Sequence, residues 1–288
     1  MKIGFLGTGL MGQPMALQLL KANYSLIAYN RTKYKLQPLE DAGGIIADSV
    51  TEVIQQADCI ILMLTDAAAI KSSILSEDAK SYLANRTIIQ MGTIAATESQ
   101  SIRDRVVAAG GEYLEAPVLG SIPQVKAGEL ILMVGSTEAQ FAKYQKLLRH
   151  FSSEPMYIGE VGTAAAMKLA LNQLIPSLII SFSLSLSLIQ HLGVDIEKFM
   201  AVLRQSAIYA PTFDKKLPRM RDRNFSNPNF PTKHLLKDTN LIINQAAELG
   251  LNTSHLEGVK QIIETALEMG LEDLDYSAIY SAINPPKS

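Results

Sequence analysis

Lys168 and Asn172 stand one helical turn apart at the start of a long apolar stretch, so an ammonium and a carboxamide would share one helix face. Desolvation lowers the pKa of a lysine at the edge of a buried helix, which suits it to give or take a proton. An amide beside it could orient it or hold a substrate oxygen. The same spacing fits a lysine whose stem packs on apolar surface while its head reaches water. A second constellation is Gly7-Thr8-Gly9-Leu10-Met11-Gly12, placed between the apolar run Ile3–Leu6 and a helical pattern. There Gly7 suits a tight turn, Gly9 a close approach of backbone to pyrophosphate, and Gly12 close helix–strand packing. Leu10 and Met11 would present their N–H groups to phosphate at the helix start. Three glycines in an ordinary strand–helix turn is the bland alternative; position in the first βα unit favours the dinucleotide.

The second strand ends on Asn30-Arg31-Thr32-Lys33, and no acidic residue occurs between Gln13 and Leu39. An NAD site would place Asp or Glu at this strand end to bind the ribose 2′-hydroxyl. An Arg guanidinium suits a 2′-phosphate instead, with Asn30 and the Thr32 hydroxyl beside it. NADP is therefore the expected cofactor, against the alternative that Arg31 and Lys33 are solvated loop charges. Two further strand ends, Met63-Leu64-Thr65 and Met91-Gly92-Thr93, should line the groove. Thr93 could bond substrate or ribose, or equally cap the following helix.

These residues need a frame. Short apolar runs at Lys2–Leu6, Ser25–Asn30, Cys59–Leu64, Thr87–Met91, Glu112–Ala116, Leu130–Gly135 and Pro155–Ile158 read as strands. Helical patterns at Met11–Ala22, Ser49–Ala57, Thr97–Ala109 and Thr137–Phe151 alternate with them. That alternation predicts an α/β Rossmann domain over residues 1–161, its mostly parallel sheet covered on both faces. From residue 162 to 288 strands stop and helical periodicity runs through Ile196–Ser206, Lys233–Leu249 and Ser254–Met269. The serines 181, 183, 185 and 187 alternate like a strand, but length and the absence of turn signals predict helix. The Pro-rich stretch Ala210–Lys233 reads as a loop excursion, and Asn284–Ser288 as a frayed tail.

Composition narrows the classes. The 288 residues are 48% hydrophobic and 19% charged, which excludes a disordered or collagen-like chain. A net charge of −2 offers no basic field for nucleic acid. One cysteine, Cys59, and four scattered His predict neither an internal disulfide nor a metal site. The N-terminal residues lack a signal-peptide pattern, so a reducing, cytoplasmic setting is expected. Leu169–Leu192 is long enough to span a bilayer, yet it carries Asn172, Gln173, Pro176, Gln190, His191 and several serines. A buried helix or subunit interface is the expectation, with no membrane partner.

Four segments together resemble the β-hydroxyacid dehydrogenase family, the relatives of 6-phosphogluconate dehydrogenase. They are the glycine motif running on to Gln13-Pro14-Met15-Ala16; Glu115-Ala116-Pro117-Val118-Leu119-Gly120-Ser121; Gly159-Glu160-Val161-Gly162 leading to Lys168-Leu169-Ala170-Leu171-Asn172-Gln173; and Leu236-Lys237-Asp238. The resemblance implies a Rossmann domain, a long interdomain helix and an all-α C-terminal domain, assembled as homodimers or homotetramers. It implies Lys168 as the catalytic lysine and Asn172 as the substrate-binding asparagine. Gly120 and Ser121 would form the substrate loop, with Phe230 a substrate-contacting aromatic. Lys237 and Asp238 would lie near cofactor and substrate.

The departures bear on substrate. The family loop commonly reads Asp-Ala-Pro-Val-Ser-Gly-Gly, whereas this chain has Glu115, Leu119 and Ser121 at the first, fifth and seventh places. Leu171 stands in place of a frequent Asn, and Ala164 in place of a frequent Gly. The Glu-Ala-Pro-Val and Gly-Ser pattern looks most like the glyoxylate and succinic semialdehyde reductase branch. The expected activity is NADPH-dependent reduction of a small carboxylate-bearing aldehyde to its hydroxy acid. The alternatives are oxidation of a 3-hydroxy acid such as 3-hydroxyisobutyrate, imine reduction (which Lys168 counts against), and a dinucleotide-binding module without turnover.

Overall fold

The computed structural model describes residues 1–286 and divides into two compact units, Met1–Leu169 and Ala170–Ser288. The strands of the first unit are β1 (Lys2–Leu6), β2 (Ser25–Tyr29), β3 (Ile45–Ile46), β4 (Cys59–Leu62), β5 (Thr87–Gln90), β6 (Glu112–Glu115), β7 (Val118–Leu119), β8 (Ile131–Gly135) and β9 (Met156–Gly159). They form one sheet in the order β3-β2-β1-β4-β5-β6-β8-β7, with β9 pairing β8. The order reverses at β1, which pairs β2 on one side and β4 on the other, both parallel. Ligands of such sheets bind outside the carboxyl ends at this reversal. The sheet is parallel from β3 to β6, while β8 runs antiparallel to β6 and β7.

Period-2 patterning explains the two cores. Ile3, Phe5, Cys59, Ile61 and Ile89 face one cluster, and Leu6, Ile60, Leu62 and Ile88 the other. The first cluster is closed by α1 (Gly12–Lys21) and by α8 (Glu138–Leu148), through Met15, Leu19, Leu147 and Leu148. The second is closed by α3 (Val50–Gln56), α4 (Ala67–Ile74) and α6 (Ala96–Ala108), through Val53, Ile54, Ile70, Ile74, Ile102 and Val106. Each fully buried Ile or Leu contributes about 1.5–3 kcal/mol relative to exposure. Ser49 and Thr137, the first residues of two of the expected helical patterns, are N-caps that accept from the amides of Glu52 and Gln140. The short helices α2 (Gln37–Asp41), α5 (Glu77–Lys80) and α7 (Ile122–Ala127), with α4, had no clear periodic signal and are additions to the expected set.

The helix α9 (Thr163–Asn172) spans the boundary between the units. The second unit continues with α10 (Leu174–His191), α11 (Ile196–Arg204), α12 (Pro211–Arg221), α13 (Thr232–Glu248), α14 (Ser254–Glu268) and α15 (Ile279–Ile283). The alternating serines are helical, as length argued. Ser183 and Ser187 are buried and donate to the carbonyls of Ile179 and Ser183, while Ser181 and Ser185 face out. The expected loop at Ala210–Lys233 is corrected by α12. Pro211 sits in its first turn, where proline loses no helical bond, and burial of Phe213, Leu217 and Met220 offsets Pro218 inside the helix. Asn284 is held rather than frayed, its carbonyl accepting from Arg223 at 2.7 Å. Lys287 and Ser288 lie outside the described residues. The stretch Thr163–His191 is long and apolar enough to cross a membrane by length and composition alone. Its Ile179, Phe182 and Leu186 nevertheless belong to the core of the helical unit.

Candidate active site

The glycine loop joins β1 to α1 at the sheet's reversal. Gly7 adopts φ +95°, and a side chain there would strike the Met63 carbonyl, so the turn after β1 is held against the end of β4. A Cβ at Gly9 would meet nothing within 4 Å, so that glycine leaves room for something other than this protein unit. Leu10 is exposed and Met11 half-buried at the start of α1. The Thr8 hydroxyl is buried without a hydrogen-bond partner among the described residues. An open backbone approach beside an orphaned buried hydroxyl fits a phosphate-bearing ligand.

Asn30 joins the two nucleotide-side loops. Its Oδ1 accepts from the Thr8 amide at 3.1 Å and its Nδ2 donates to the Thr32 carbonyl at 3.0 Å. The amide thus fixes the strand end on which Arg31 is exposed and Thr32 half-buried. Lys33 is engaged elsewhere, its ammonium 2.7 Å from Asp48. Each partner stabilises the other's charge: the hydrogen bond to Asp48 raises Lys33, and the same bond lowers Asp48. Arg31, rather than Lys33, is the cation that this strand end presents.

Met63 and Leu64 follow β4, and Thr93 follows β5, all three half-buried. The helix α6 begins beyond Thr93: its N-cap is Ala95, whose amide donates to Glu98 Oε2 at 2.9 Å. The N-cap position of this helix is therefore Ala95 and not Thr93. Gly120 has φ +136° and is exposed. Ser121 is the N-cap of α7, and its hydroxyl donates to Gln124 Oε1 at 2.8 Å while retaining lone pairs for a ligand donor.

Lys168 lies on α9 with only 8% of its surface exposed. The start of α9 is fastened by Glu115, the last residue of β6 and 0% exposed. Glu115 Oε1 accepts from the amides of Gly162 at 2.8 Å and Ala165 at 3.0 Å, and Oε2 accepts from the Ser99 hydroxyl. Burial raises the Glu115 carboxyl above its usual range, opposed by those donors. The sequence marks Glu115 only as a departure within the substrate-loop motif, with no role of its own, and Ser99 not at all.

In the helical unit, Asn172 Nδ2 donates to Asp238 Oδ2 at 2.7 Å. The other Asp238 oxygen faces the Lys237 ammonium at 2.7 Å. Asn172 Oδ1 is buried with no partner among the described residues, an acceptor left open. Phe230 is half-buried, its ring edge-on to Tyr276 at 5.9 Å and stacked on His234 at 6.5 Å. Burial lowers His234 from its ordinary value, with Lys237 and Lys233 adding to the effect. Among the described residues no group of His, Cys, Asp and Glu is arranged to hold a metal.

A family model described as the NAD binding domain of 6-phosphogluconate dehydrogenase matches residues 2–159. Another, described as NAD-binding of NADP-dependent 3-hydroxyisobutyrate dehydrogenase, matches residues 162–283. Glyoxylate/succinic semialdehyde reductase 1 of Arabidopsis thaliana is 30% identical over 285 residues, covering 98% of both chains. Glyoxylate/succinic semialdehyde reductase 2, chloroplastic, of the same plant is 32% identical over 288 residues, covering 99% of this chain and 80% of that one. Among solved structures, Mycobacterium tuberculosis 3-hydroxyisobutyrate dehydrogenase with L-serine superposes with a TM-score of 0.88 at 22% identity, over 98% of this chain and 99% of that one. At that identity the match speaks for the fold.

Proposed function

The chain belongs to the β-hydroxyacid dehydrogenase family of nicotinamide-dependent oxidoreductases, and on that premise we propose that it reduces small aldehyde acids, glyoxylate or succinic semialdehyde, with NADPH. The observation that carries the reading is Lys168, a nearly buried ammonium at the motif position of the family's catalytic lysine, in a chain similar end to end to two such reductases. The glycine loop and its orphaned Thr8 hydroxyl would hold the cofactor's phosphates, with Leu10, Met11, Asn30, Arg31, Thr32, Met63, Leu64 and Lys237 as the other cofactor-side residues.

A nicotinamide supplies the hydride when bound. Lys168 acts as general acid: its ammonium stabilises charge developing on the carbonyl oxygen and gives that oxygen a proton. Asn172, one turn along the same helix, holds the substrate oxygen or the lysine, oriented by Asp238. Ser121 and the amides around Gly120 hold the substrate carboxylate, with Thr93 and Phe230 as further contacts. The absence of an acidic residue at the second strand end, together with exposed Arg31, favours the 2′-phosphate.

The outer face of α10 presents Leu184, Leu188 and Leu192, all exposed and spaced one turn apart. An exposed strip of this kind seeks cover. We assign it to a second copy of the chain in a cytoplasmic homo-oligomer, and a requirement for detergent during purification would point to a membrane instead.

The deciding experiment is NADPH oxidation by purified protein with each aldehyde acid, repeated with NADH. Turnover confined to NADPH supports the reading. Equal turnover with NADH refutes the Arg31 clamp and favours oxidation of a 3-hydroxy acid. Cofactor binding without any turnover points to a non-catalytic module.

A further inference from the structure

Glu115 is a buried titratable group that the mechanism leaves unused. Glu115 closes β6 beneath the substrate loop and is 0% exposed, as is Ser99 beside it. The hydrogen bonds to its carboxylate reach in two directions. Two run to the first turn of α9, through the amides of Gly162 and Ala165. The third comes from Ser99 on α6, whose oxygen also lies 2.9 Å from the Tyr113 hydroxyl. The site is shaped for the carboxylate: a Cβ at Gly135, its neighbour across the sheet, would come within 2.5 Å of Glu115 Oε1.

We infer that Glu115 is the positioning residue for Lys168, its carboxylate fixing the first turn of α9 to the strand that runs into the Gly120–Ser121 loop. Lys168 lies three residues beyond Ala165 on the same helix face, about 4.5 Å further along the axis. A helix is stiff over that length, so the amide anchored at Ala165 sets where the ammonium stands. The same side chain roots the segment Ala116 to Ser121, so one group relates proton donor and substrate loop. A misplacement of about 1 Å at a reacting group costs on the order of a hundredfold in rate. Negative charge at a helix N-terminus is also favourable in itself.

The inference rests on the assignment of Lys168 as proton donor, and the test separates the two. Turnover and NADPH affinity are measured for Glu115→Ala, Glu115→Gln and Ser99→Ala, each alone and combined with Lys168→Ala. In the Lys168 protein, Glu115→Ala should lower kcat about thirty- to hundredfold while NADPH affinity stays within about threefold. Glu115→Gln keeps an oxygen for both amides and should retain at least a third of wild-type kcat. Ser99→Ala, which removes one of the bonds to the Glu115 carboxylate together with the contact to Tyr113, should lower kcat several-fold and keeps the test alive if Glu115→Ala does not fold. With Lys168 already replaced, none of the three should lower the residual rate further. Unchanged kcat in both Glu115→Ala and Ser99→Ala overturns the positioning role, as does an equal fractional loss in both backgrounds. Full activity of Lys168→Ala alone would sink the lysine assignment and this inference with it, and that arm identifies the cause.

Discussion

Asn172 donates its side-chain N–H to the Asp238 carboxylate across 2.7 Å, joining α9 to α13 across 66 positions of sequence. The two residues belong to separate sequence motifs, and the bond makes them one unit. Replacing Asp238 by Ala leaves a buried amide donor unmet, a loss of about 1.5–3 kcal/mol for a bond to a charged group. We expect kcat/KM to fall roughly ten- to a hundredfold. The double variant with Asn172→Ala should lose little more than Asn172→Ala alone; additive losses would show that the pair does not act together.

Lys168→Ala should reduce kcat by about 10²–10⁴-fold, the usual range for removal of a general acid. NADPH affinity, measured by fluorescence titration, should stay within about threefold. Wild-type turnover in this variant would remove Lys168 from the chemistry.

The two cations at the end of β2 should behave differently. Arg31→Ala is expected to weaken NADPH binding about ten- to a hundredfold, as loss of a charge-assisted phosphate contact does, and to leave NADH binding alone. Lys33→Ala should change neither appreciably, since its ammonium already meets Asp48. Equal effects of the two substitutions would contradict the assignment.

The helical unit contains a buried ion pair with no part in the proposed chemistry. The Lys216 ammonium lies 2.7 and 2.8 Å from the two Asp275 oxygens and 4.1 Å from the Tyr276 ring centre. Burial alone would raise Asp275, but the Lys216 ammonium and the donors of Ser277 hold it below its ordinary 3.8. A depressed carboxyl contributes stability above its unfolded value that is lost as pH falls through the native one. Lys216→Met should cost about 3–5 kcal/mol at neutral pH by stranding the carboxylate. Denaturant titrations should show the gap to wild type narrowing as pH falls, beginning above the ordinary carboxyl range, where Asp275 of the variant is left to the raising effect of burial, and closing as the wild-type carboxylate takes up its proton below that range. A gap independent of pH would mean that lost packing, not charge, sets the cost.

Leu184→Glu with Leu188→Glu should shift the particle toward monomer in analytical ultracentrifugation, because charge would have to be buried against the second copy. An unchanged sedimentation coefficient would place the contact elsewhere.

The sequence determined the elements that repeat locally. Short continuous apolar runs marked the strands, and the glycine motif after the first of them located the nucleotide end. The cap residues Ser49 and Thr137 marked helix starts through bonds spanning only three residues. Even α10 was legible, because an uninterrupted apolar stretch of that length outweighs four alternating serines. Where context competes with local preference the reading failed: α12 forms through burial of Phe213, Leu217 and Met220, which prolines in the sequence concealed. Tertiary structure alone decided which side chains meet. Glu115 reaches Ala165 across 50 positions, and Lys33 is claimed by Asp48 while Arg31 is left to solvent. Such pairings depend on where the sheet order and helix packing bring distant atoms within hydrogen-bond distance, and no local period encodes that.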